Sequence, residues 1–342
     1  MAETLRSCAE RAEAYASPDV YGSGEVIEQF EARIAKLLGK PAAVFLPSGT
    51  LAQPLALRIH AEERGRKGVA LHPTSHLVLH EQDGYQQLWG LQGRQAGQAD
   101  KVLTASDLSV IDDPSQLAAL LLELPMREIG GQLPSWDDLQ AQVQWARQHN
   151  IAVHLDGARL WQCEHHYQRS FAEICAPFDS VYVSLYKDLG GIAGAVLAGT
   201  TEFVAQARVW SRRAGGNLIA MYPYLLAAEQ GLEDNLSVMP KAAAFAQELA
   251  PLLASIPGVS VNPKQPQAAM FLLHIDSDEA ALIEAVTRYA EHEGVVVLPL
   301  PRAKQNGHCV CEITLGRNAL EQSASFWHEH LRACLATILK QG

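Results

Sequence analysis

Residues 151–159 read IAVHLDGAR. Within this stretch residues 151–155 form a mostly apolar run of strand length, and the acid Asp156 follows it directly. A second run of strand length, residues 181–185, is also followed by a charged residue: residues 181–187 read VYVSLYK, which ends in Lys187. A third, residues 42–50, reads AAVFLPSGT and leads into a helical pattern. Helical segments alternate with strands that are apolar on both faces, which is typical of a mostly parallel sheet covered by helices. Open α/β sheets bind ligands at the carboxyl ends of their strands, so these polar residues are predicted to share one edge.

The rest of the chain predicts an α/β fold with a large domain, whose mostly parallel sheet lies between helices, and a smaller C-terminal α/β domain on an antiparallel or mixed sheet. Further predicted strands are residues 118–124, 270–275, 295–298 and 309–314. Predicted helices are 51–63, 135–149, 171–176, one that begins at Asp276 or Ser277 and ends at Gly294, and one from about 323. We expect an N-terminal helical segment (1–20), the large domain (21–235) and the small domain (236–342).

The composition excludes several classes of protein. The chain has 342 residues, of which 48% are hydrophobic, and a net charge of −11, which argues against a nucleic-acid binder because such proteins need a basic surface. No apolar run has the length of a membrane span, and charged residues interrupt the first 16 positions, where a signal peptide would be apolar. Six cysteines without a C-x-x-C pair indicate reduced thiols. We therefore expect a cytoplasmic protein without nucleic-acid or membrane partners.

Three features at the predicted sheet edge complement one cofactor. A helix that starts at Gly49 offers free N–H groups to a phosphate, the amine of Lys187 forms Schiff bases with aldehydes, and the carboxylate of Asp156 keeps a pyridine nitrogen protonated. Each has an ordinary alternative: a plain helix cap, a lysine that emerges into solvent, and a turn aspartate that pairs with Arg159. Together they predict a site for pyridoxal 5′-phosphate.

Five segments resemble, in order and spacing, the threonine aldolase and β-eliminating lyase family of pyridoxal-phosphate enzymes. They are Tyr21-Gly22, FLPSGT (45–50), TSH (74–76), HLDGARL (154–160) and KDLGG (187–191). The resemblance covers about residues 20–220 and implies the aspartate-aminotransferase-like fold, fold type I. It also implies a small-molecule substrate, namely a small or aromatic β-substituted amino acid, and a homodimer or homotetramer with active sites at the subunit interface.

The resemblance assigns roles to individual residues. It implies that Lys187 holds pyridoxal 5′-phosphate as a Schiff base, that Asp156 pairs with the pyridinium nitrogen, and that His76 stacks on the ring and assists proton transfer at the substrate β-hydroxyl. The residues implied at the phosphate are Ser48, Gly49, Thr50, Ser184, Arg212 and Arg213. Those implied at the substrate are Arg159, which reaches the carboxylate, with Arg127 and Tyr21.

The chain departs from the family pattern at the substrate end. Where threonine aldolases have Glu-Asn-Thr-His-Asn before a Gly-Gly pair, residues 123–131 read ELPMREIGG, so that Met126 replaces a histidine and Arg127 an asparagine. The C-terminal arginine that binds the substrate carboxylate has no clear counterpart, and Arg317 is the nearest candidate. The cofactor end of the pattern is intact.

Competing motifs are weaker. Residues 184–187 fit S-x-x-K but lack the later K-T-G of penicillin-binding enzymes. His72, His76 and His80 have helical spacing, but Pro73 and the apolar run that follows argue against a helix and against a zinc site.

The sequence therefore predicts a pyridoxal-phosphate lyase that cleaves the Cα–Cβ bond of a β-hydroxy amino acid to glycine and an aldehyde. Two alternatives stay open: β-elimination, and a binding protein that keeps the fold but not the catalysis. Because a mere scaffold needs neither Lys187 nor Asp156, their presence weighs against the second.

Overall fold

The computed structural model describes residues 2–305 and 308–339, which form two compact units. The first unit contains the described chain up to Pro125 together with Pro134–Ser237. The second contains Met126–Leu133 together with the described chain from Val238 onward. The second unit thus includes a short segment from the middle of the chain, which the sequence did not predict. Within the described ranges, no helix combines the length and the apolar character that crossing a bilayer requires.

The first unit is built on a seven-stranded sheet with the spatial order β1-β7-β6-β5-β4-β2-β3. Strand β7 is antiparallel to both neighbours, and the other six strands run in one direction. The carboxyl ends of β4, β5 and β6 therefore meet at one edge. The strands are β1 (Ala42–Leu46), β2 (Gly68–Leu71), β3 (Gln92–Gln95), β4 (Leu117–Glu123), β5 (Ala152–Gly157), β6 (Ser180–Ser184) and β7 (Ala195–Gly199).

Helices cover this sheet. They are α1 (Ala2–Ala12), α2 (Glu25–Leu37), α3 (Gly49–Arg64), α4 (His76–Leu79), α5 (Gly84–Gln87), α6 (Ala105–Ser109), α7 (Trp136–Gln148), α8 (Glu164–Tyr167), α9 (Phe171–Cys175), α10 (Thr201–Arg213) and α11 (Tyr222–Asn235). Side-chain caps mark the N-termini of several helices. The hydroxyls of Ser48, Ser135 and Thr200 accept hydrogen bonds from first-turn backbone N–H groups of α3, α7 and α10. Helix α3 ends at Gly65, whose φ of 63° is left-handed and suits glycine.

The second unit has a four-stranded antiparallel sheet of order β10-β11-β9-β8. Its strands are β8 (Val259–Asn262), β9 (Met270–Ile275), β10 (Ala303–Gln305) and β11 (His308–Thr314), and its helices are α12 (Met239–Ala254), α13 (Glu279–Glu293) and α14 (Ala324–Leu335). Phe271, Leu273 and Ile275 alternate along β9 and face the helices in one apolar core.

The structure confirms the predicted fold class, with a large, mostly parallel sheet in one unit and a small antiparallel sheet in the other. Strands 42–46 and 270–275 have their predicted bounds. The predicted strand 295–298 is wrong: this apolar segment is irregular and pairs with no strand in the described part of the chain, and Val296 is exposed.

Two helix starts also differ from prediction. Asp278, rather than Asp276 or Ser277, caps α13, because its carboxylate accepts the N–H groups of Ala280 and Ala281. A helical turn does form at His76–Leu79, against the prediction from Pro73, since that proline lies before the turn and removes none of its hydrogen bonds.

We predict that Phe45→Ala lowers the free energy of unfolding by about 3–5 kcal/mol. Phe45 is 1% exposed and makes an edge contact with Phe30 at 6.0 Å between ring centroids, so that truncation leaves a cavity under β1. Urea denaturation followed by circular dichroism measures the change. The control Leu88→Ala removes a side chain that is 84% exposed and is expected to cost little. Equal effects from the two variants would contradict the packing described for β1.

Candidate active site

Strands β5 and β6 present a row of polar side chains on one face of the sheet. In the parallel register His154 pairs with Ser180 and Asp156 with Tyr182, and Ser184 lies two residues further along β6. Because side chains alternate along a strand, all five point to the same side. Helix α3 packs on this side, with Tyr182 in the apolar cluster beneath it.

Asp156 lies at the carboxyl end of β5 and is 1% exposed. Its Oδ1 accepts the backbone N–H of Ala158 at 3.1 Å, and its Oδ2 accepts Nε2 of Gln53, from α3, at 2.5 Å. Hydrogen bonds from N–H donors stabilise the ionised form of a buried carboxylate. These two donors fix the orientation of the carboxylate at the sheet edge.

The start of α3 lies against the same strands. The hydroxyl of Ser48 accepts the N–H of Leu51 at 3.2 Å, and the first-turn N–H groups of Gly49 and Thr50 have no acceptor within a helix. A Cβ at position 49 would lie 2.1 Å from the hydroxyl oxygen of Tyr182, so only glycine permits this close approach. A 16-residue helix with open N–H groups favours an anion.

Lys187 follows β6 by three residues and is half-buried. The end of the strand is fixed by the indole N–H of Trp161, which donates to the Ser184 carbonyl at 2.9 Å. The Ser184 hydroxyl interacts with the phenols of Tyr182 and Tyr186, and burial raises the pKa of both tyrosines. Both phenols therefore stay neutral and can donate hydrogen bonds at neutral pH.

Arg159 lies near two of these groups. Its guanidinium acts electrostatically on the phenol of Tyr186 and on the carboxyl of Asp188, the residue that follows the lysine. Burial raises the pKa of Asp188 to about 6, although Arg159, a 2.7 Å hydrogen bond from Gln162 Nε2 and the charge of Lys187 each lower it. The second oxygen of Asp188 is buried and has no hydrogen-bond partner among the described residues.

His76 begins α4 and is joined to the same region through Glu81. Its Nδ1 lies 3.1 Å from Oε1 of Glu81, whose side chain is only 4% exposed and acts electrostatically on Tyr182 and Tyr186. Because a carboxylate only accepts hydrogen bonds, Nδ1 carries the proton and Nε2 is the basic nitrogen of the neutral ring. The ring also contacts that of His80, with centroids 5.1 Å apart.

The structure thus brings together within the first unit eight of the predicted residues: Ser48, Gly49, Thr50, His76, Asp156, Arg159, Ser184 and Lys187. Three others stand exposed in the same unit. Arg212 and Arg213 end α10, where Arg213 lies over the Trp210 ring at 4.8 Å. Tyr21 is 50% exposed and is tied to the Ile219 carbonyl by its backbone N–H. The roles predicted for these three residues, like those predicted for the other eight, remain predictions.

Arg127 belongs to the second unit, where it makes ion pairs with two glutamates. Its Nη2 lies 2.9 Å from Glu312 Oε2 and its Nη1 3.0 Å from Glu128 Oε1. Arg302 also pairs with both glutamates, so that two arginines and two glutamates form a closed, half-buried cluster. To bind a substrate carboxylate, as predicted, Arg127 would have to exchange these glutamates for the substrate.

Four residues of the site were missed by the sequence reasoning: Gln53, Glu81, Tyr182 and Asp188. For Gln53 a signal exists, because it follows Gly49 by one helical turn and so projects from the same side of α3. Tyr182 alternates with Ser184 along a predicted strand. The turn that brings Glu81 to His76 carries no comparable pattern.

Comparisons with known proteins agree on one family. The family model described as "Beta-eliminating lyase" matches residues 4–276. A Listeria monocytogenes structure described provisionally as an L-allo-threonine aldolase is 40% identical, with a TM-score of 0.92 over 98% of this chain and 93% of that one. A second, from Exiguobacterium sp. 255-15, is described provisionally as an aromatic amino acid β-eliminating lyase/threonine aldolase; it is 38% identical, with a TM-score of 0.90 over 97% and 94%. The low specificity L-threonine aldolase of Escherichia coli K12 is 26% identical over 92% of this chain and 91% of its own length.

We predict that Asp188→Asn stabilises the cofactor-free protein at pH 7.5 by about 3 kcal/mol. The pKa of Asp188 is raised from 3.8 to about 6 in the folded state, so the folded protein binds more protons than the unfolded chain between these values. Stability is therefore lost as the pH rises through this window, and the variant avoids the loss.

Urea midpoints at pH 4, 5, 6 and 7.5 measure this effect. The variant and the wild type are expected to converge toward pH 4, and the exposed-site control Asp100→Asn to follow the wild type throughout. A constant difference between Asp188→Asn and the wild type across the four pH values would show that the buried carboxyl is not the cause.

Proposed function

The chain belongs to the β-eliminating lyase family, and we propose that it is a pyridoxal-5′-phosphate-dependent lyase that cleaves the Cα–Cβ bond of a β-hydroxy amino acid to glycine and an aldehyde. The observation that carries this proposal is the placement of Asp156, Lys187 and the N-terminus of α3 at one sheet edge. The threonine aldolases among its relatives support it.

The residues present fit the cofactor. A phosphate suits the open N–H groups of Gly49 and Thr50 at the N-terminus of α3. The Ser75 hydroxyl, 1% exposed, has no partner among the described residues and could donate to a bound group. The buried carboxylate of Asp156 suits a pyridinium N–H, since two donors already orient it.

In this proposal each residue of the cofactor site has one task. Lys187 holds the cofactor covalently through its Nζ, and Asp156 keeps the ring nitrogen protonated. Ser48, Gly49, Thr50 and Ser184 bind the phosphate, with Arg212 and Arg213. When bound, pyridoxal 5′-phosphate supplies an electron sink that stabilises negative charge at Cα.

His76 is proposed as the base for the β-hydroxyl. The hydrogen bond to Glu81 fixes Nδ1–H and leaves Nε2 to take the proton, and the carboxylate stabilises the imidazolium that results. Because Met126 stands where the family pattern has a second histidine, His76 acts without that partner. The pairing of His76 with the carboxylate of Glu81 fixes the orientation and the tautomer of the ring.

Arg159 is proposed to bind the substrate carboxylate. It lies in the first unit with Lys187, and a guanidinium fork matches a carboxylate in geometry and charge. Arg127 and Tyr21 stay as additional candidates. We also propose a cytoplasmic homodimer or homotetramer with active sites at the subunit interface, in which the exposed Tyr21, Arg212 and Arg213 would be covered by a second copy.

β-Elimination is the second candidate function. In that reaction the Nζ of Lys187 removes the α-proton and a β-substituent leaves, so no base at the β-hydroxyl is needed. The absence of a second histidine at Met126 favours it, and so does the description of the Exiguobacterium relative, which names both activities. The pairing of His76 with Glu81 favours aldol cleavage.

The cofactor proposal predicts that the purified protein, incubated with pyridoxal 5′-phosphate and then reduced with borohydride, carries the cofactor mass on the peptide that contains Lys187. Lys187→Ala is expected to lose the adduct entirely because the amine is absent. Lys36→Ala, at an exposed lysine of the same unit, is the matched control and should retain it. Borohydride labelling of another lysine in the wild type would overturn the assignment.

The reaction proposal predicts glycine and an aldehyde, in equal amounts, from threonine or another β-hydroxy amino acid. His76→Asn is expected to lower kcat for that cleavage by about 10²–10⁴-fold, since it removes the proposed base, while the adduct at Lys187 persists. Chromatography of products distinguishes the alternatives. Ammonia with a keto acid would favour β-elimination, and no turnover of any β-substituted amino acid would favour the binding protein.

A further inference from the structure

A continuous row of buried hydrogen bonds leads away from Asp156 into the first unit. Gln53 Nε2 donates to Asp156 at 2.5 Å, and Gln53 Oε1 lies 3.2 Å from His154 Nε2. His154 Nδ1 and His60 Nε2 each lie 2.7 Å from the Ser180 hydroxyl. All five side chains are at most 2% exposed. The row connects α3, β5 and β6 through side chains alone.

The far end of the row reaches solvent. His60 Nδ1 lies 3.4 Å from Oε2 of Glu63, whose side chain is 38% exposed. Both residues line an open cavity of about 320 Å³, together with Lys40, Arg64, Arg147 and Asp179. The imidazole ring of His60 stacks on the ring of Phe203, with 5.2 Å between the ring centroids.

Donor and acceptor roles along the row follow from its ends. A carboxylate only accepts hydrogen bonds, so the amide nitrogen of Gln53 faces Asp156. The amide oxygen of Gln53 then accepts a hydrogen bond from Nε2–H of His154. Burial lowers the pKa of His154 to about 3, so the ring is neutral and its Nδ1 is an acceptor. The Ser180 hydroxyl therefore donates to His154 and accepts from His60 Nε2–H.

Every N–H and O–H bond in the row consequently points toward Asp156. At the solvent end, the hydrogen bond with His60 is the largest of the effects that lower the pKa of Glu63. Hydrogen bonds that share one direction polarise one another in a low-dielectric interior. Their positive ends face the carboxylate, and the last of them is the hydrogen bond from Gln53 Nε2 to Asp156 Oδ2.

We infer that Gln53, His154, Ser180 and His60 form a positioning network, the Asp156 relay, that keeps the cofactor proton on the ring nitrogen rather than on the carboxylate. This inference deepens the proposed function and rests on it. None of the four side chains needs to touch the substrate: they act through Asp156. The relay thereby sets how strongly the cofactor withdraws electrons during the lyase reaction.

A purely structural role is the competing explanation, in which the row only fastens α3 to the sheet. That role would change stability when the row is broken but would not move the proton between ring and carboxylate. The two explanations therefore differ in a spectroscopic quantity, the protonation state of the bound ring nitrogen.

The test is NMR of the holoprotein reconstituted with pyridoxal 5′-phosphate that carries ¹⁵N in its ring. The wild type is expected to show the shift of a protonated nitrogen. Gln53→Leu removes the donor to Asp156 and is expected to move the shift toward that of neutral pyridine, with the proton-transfer equilibrium displaced by about tenfold. Ser180→Ala breaks the row behind Gln53 and should move it the same way by less.

Gln142→Leu is the matched control. Gln142 is 1% exposed, lies in the same unit, and donates Nε2 to an aspartate, Oδ2 of Asp138, at 2.6 Å. The same substitution there should leave the ring shift unchanged. Thermal unfolding of each holoprotein verifies that it is folded, and Ser180→Ala, which only removes a hydroxyl, supplies the decision if Gln53→Leu does not fold.

Three outcomes would overturn the relay: an unchanged shift in Ser180→Ala, an unchanged shift in a folded Gln53→Leu, or an equal change in Gln142→Leu. A wild type that forms no adduct at Lys187 is a different result. It would refute the proposed function itself, and the borohydride experiment above detects it before any variant is compared.

Discussion

The hydrogen bond between Gln53 and Asp156 joins the two parts on which the site depends. It ties the helix whose N-terminus faces the sheet edge to the strand that ends in the acid. The backbone N–H of Ala158 serves Oδ1 of Asp156, and Gln53 serves the buried Oδ2, which is costly to leave without a donor. Helix α3 therefore has to lie at the rotation and height that present Gln53. The same placement brings Gly49 against Tyr182, which requires glycine there. One contact thus constrains the helix start, the strand end and the residue between them.

An apolar interior would have satisfied the fold as well. The face of β5 and β6 beneath α3 could carry leucine or valine, and replacing a buried polar network by apolar residues often leaves stability unchanged or higher. Here His154, Ser180 and His60 are buried, and each finds a partner among the other polar side chains. A polar row that costs desolvation and ends on a site residue is more readily explained by what it does to Asp156 than by packing.

The sequence predicted those parts of the site that depend on local pattern. Asp156 and Lys187 each follow an apolar strand, and Gly49 follows a strand and begins a helix, so their meeting at one edge follows from parallel pairing alone. Gln53 and Ser180 could not be predicted to meet, because that contact depends on helix rotation and strand register. Glu81 reaches His76 through a turn without a pattern. The segment 295–298 has the composition of a strand but no partner strand within residues 2–305 and 308–339, and composition does not reveal partners.

The residues predicted to bind the substrate show that the sequence also does not reveal which charged side chains pair with each other. Arg127 looked available for a substrate carboxylate, yet it pairs with Glu312, 185 positions away in sequence, and with Glu128 next to it. Arg302 closes the cluster, so two positive and two negative side chains balance inside the second unit. Removing one member would leave a half-buried charge uncompensated, which opposes its diversion to a ligand. Arg159 lies instead in the unit that holds Lys187, near Tyr186 and Asp188. The net charge of −11 therefore does not show that individual arginines have different environments. Arg127 is paired with glutamates of its own unit, whereas Arg159 lies near the residues that flank Lys187.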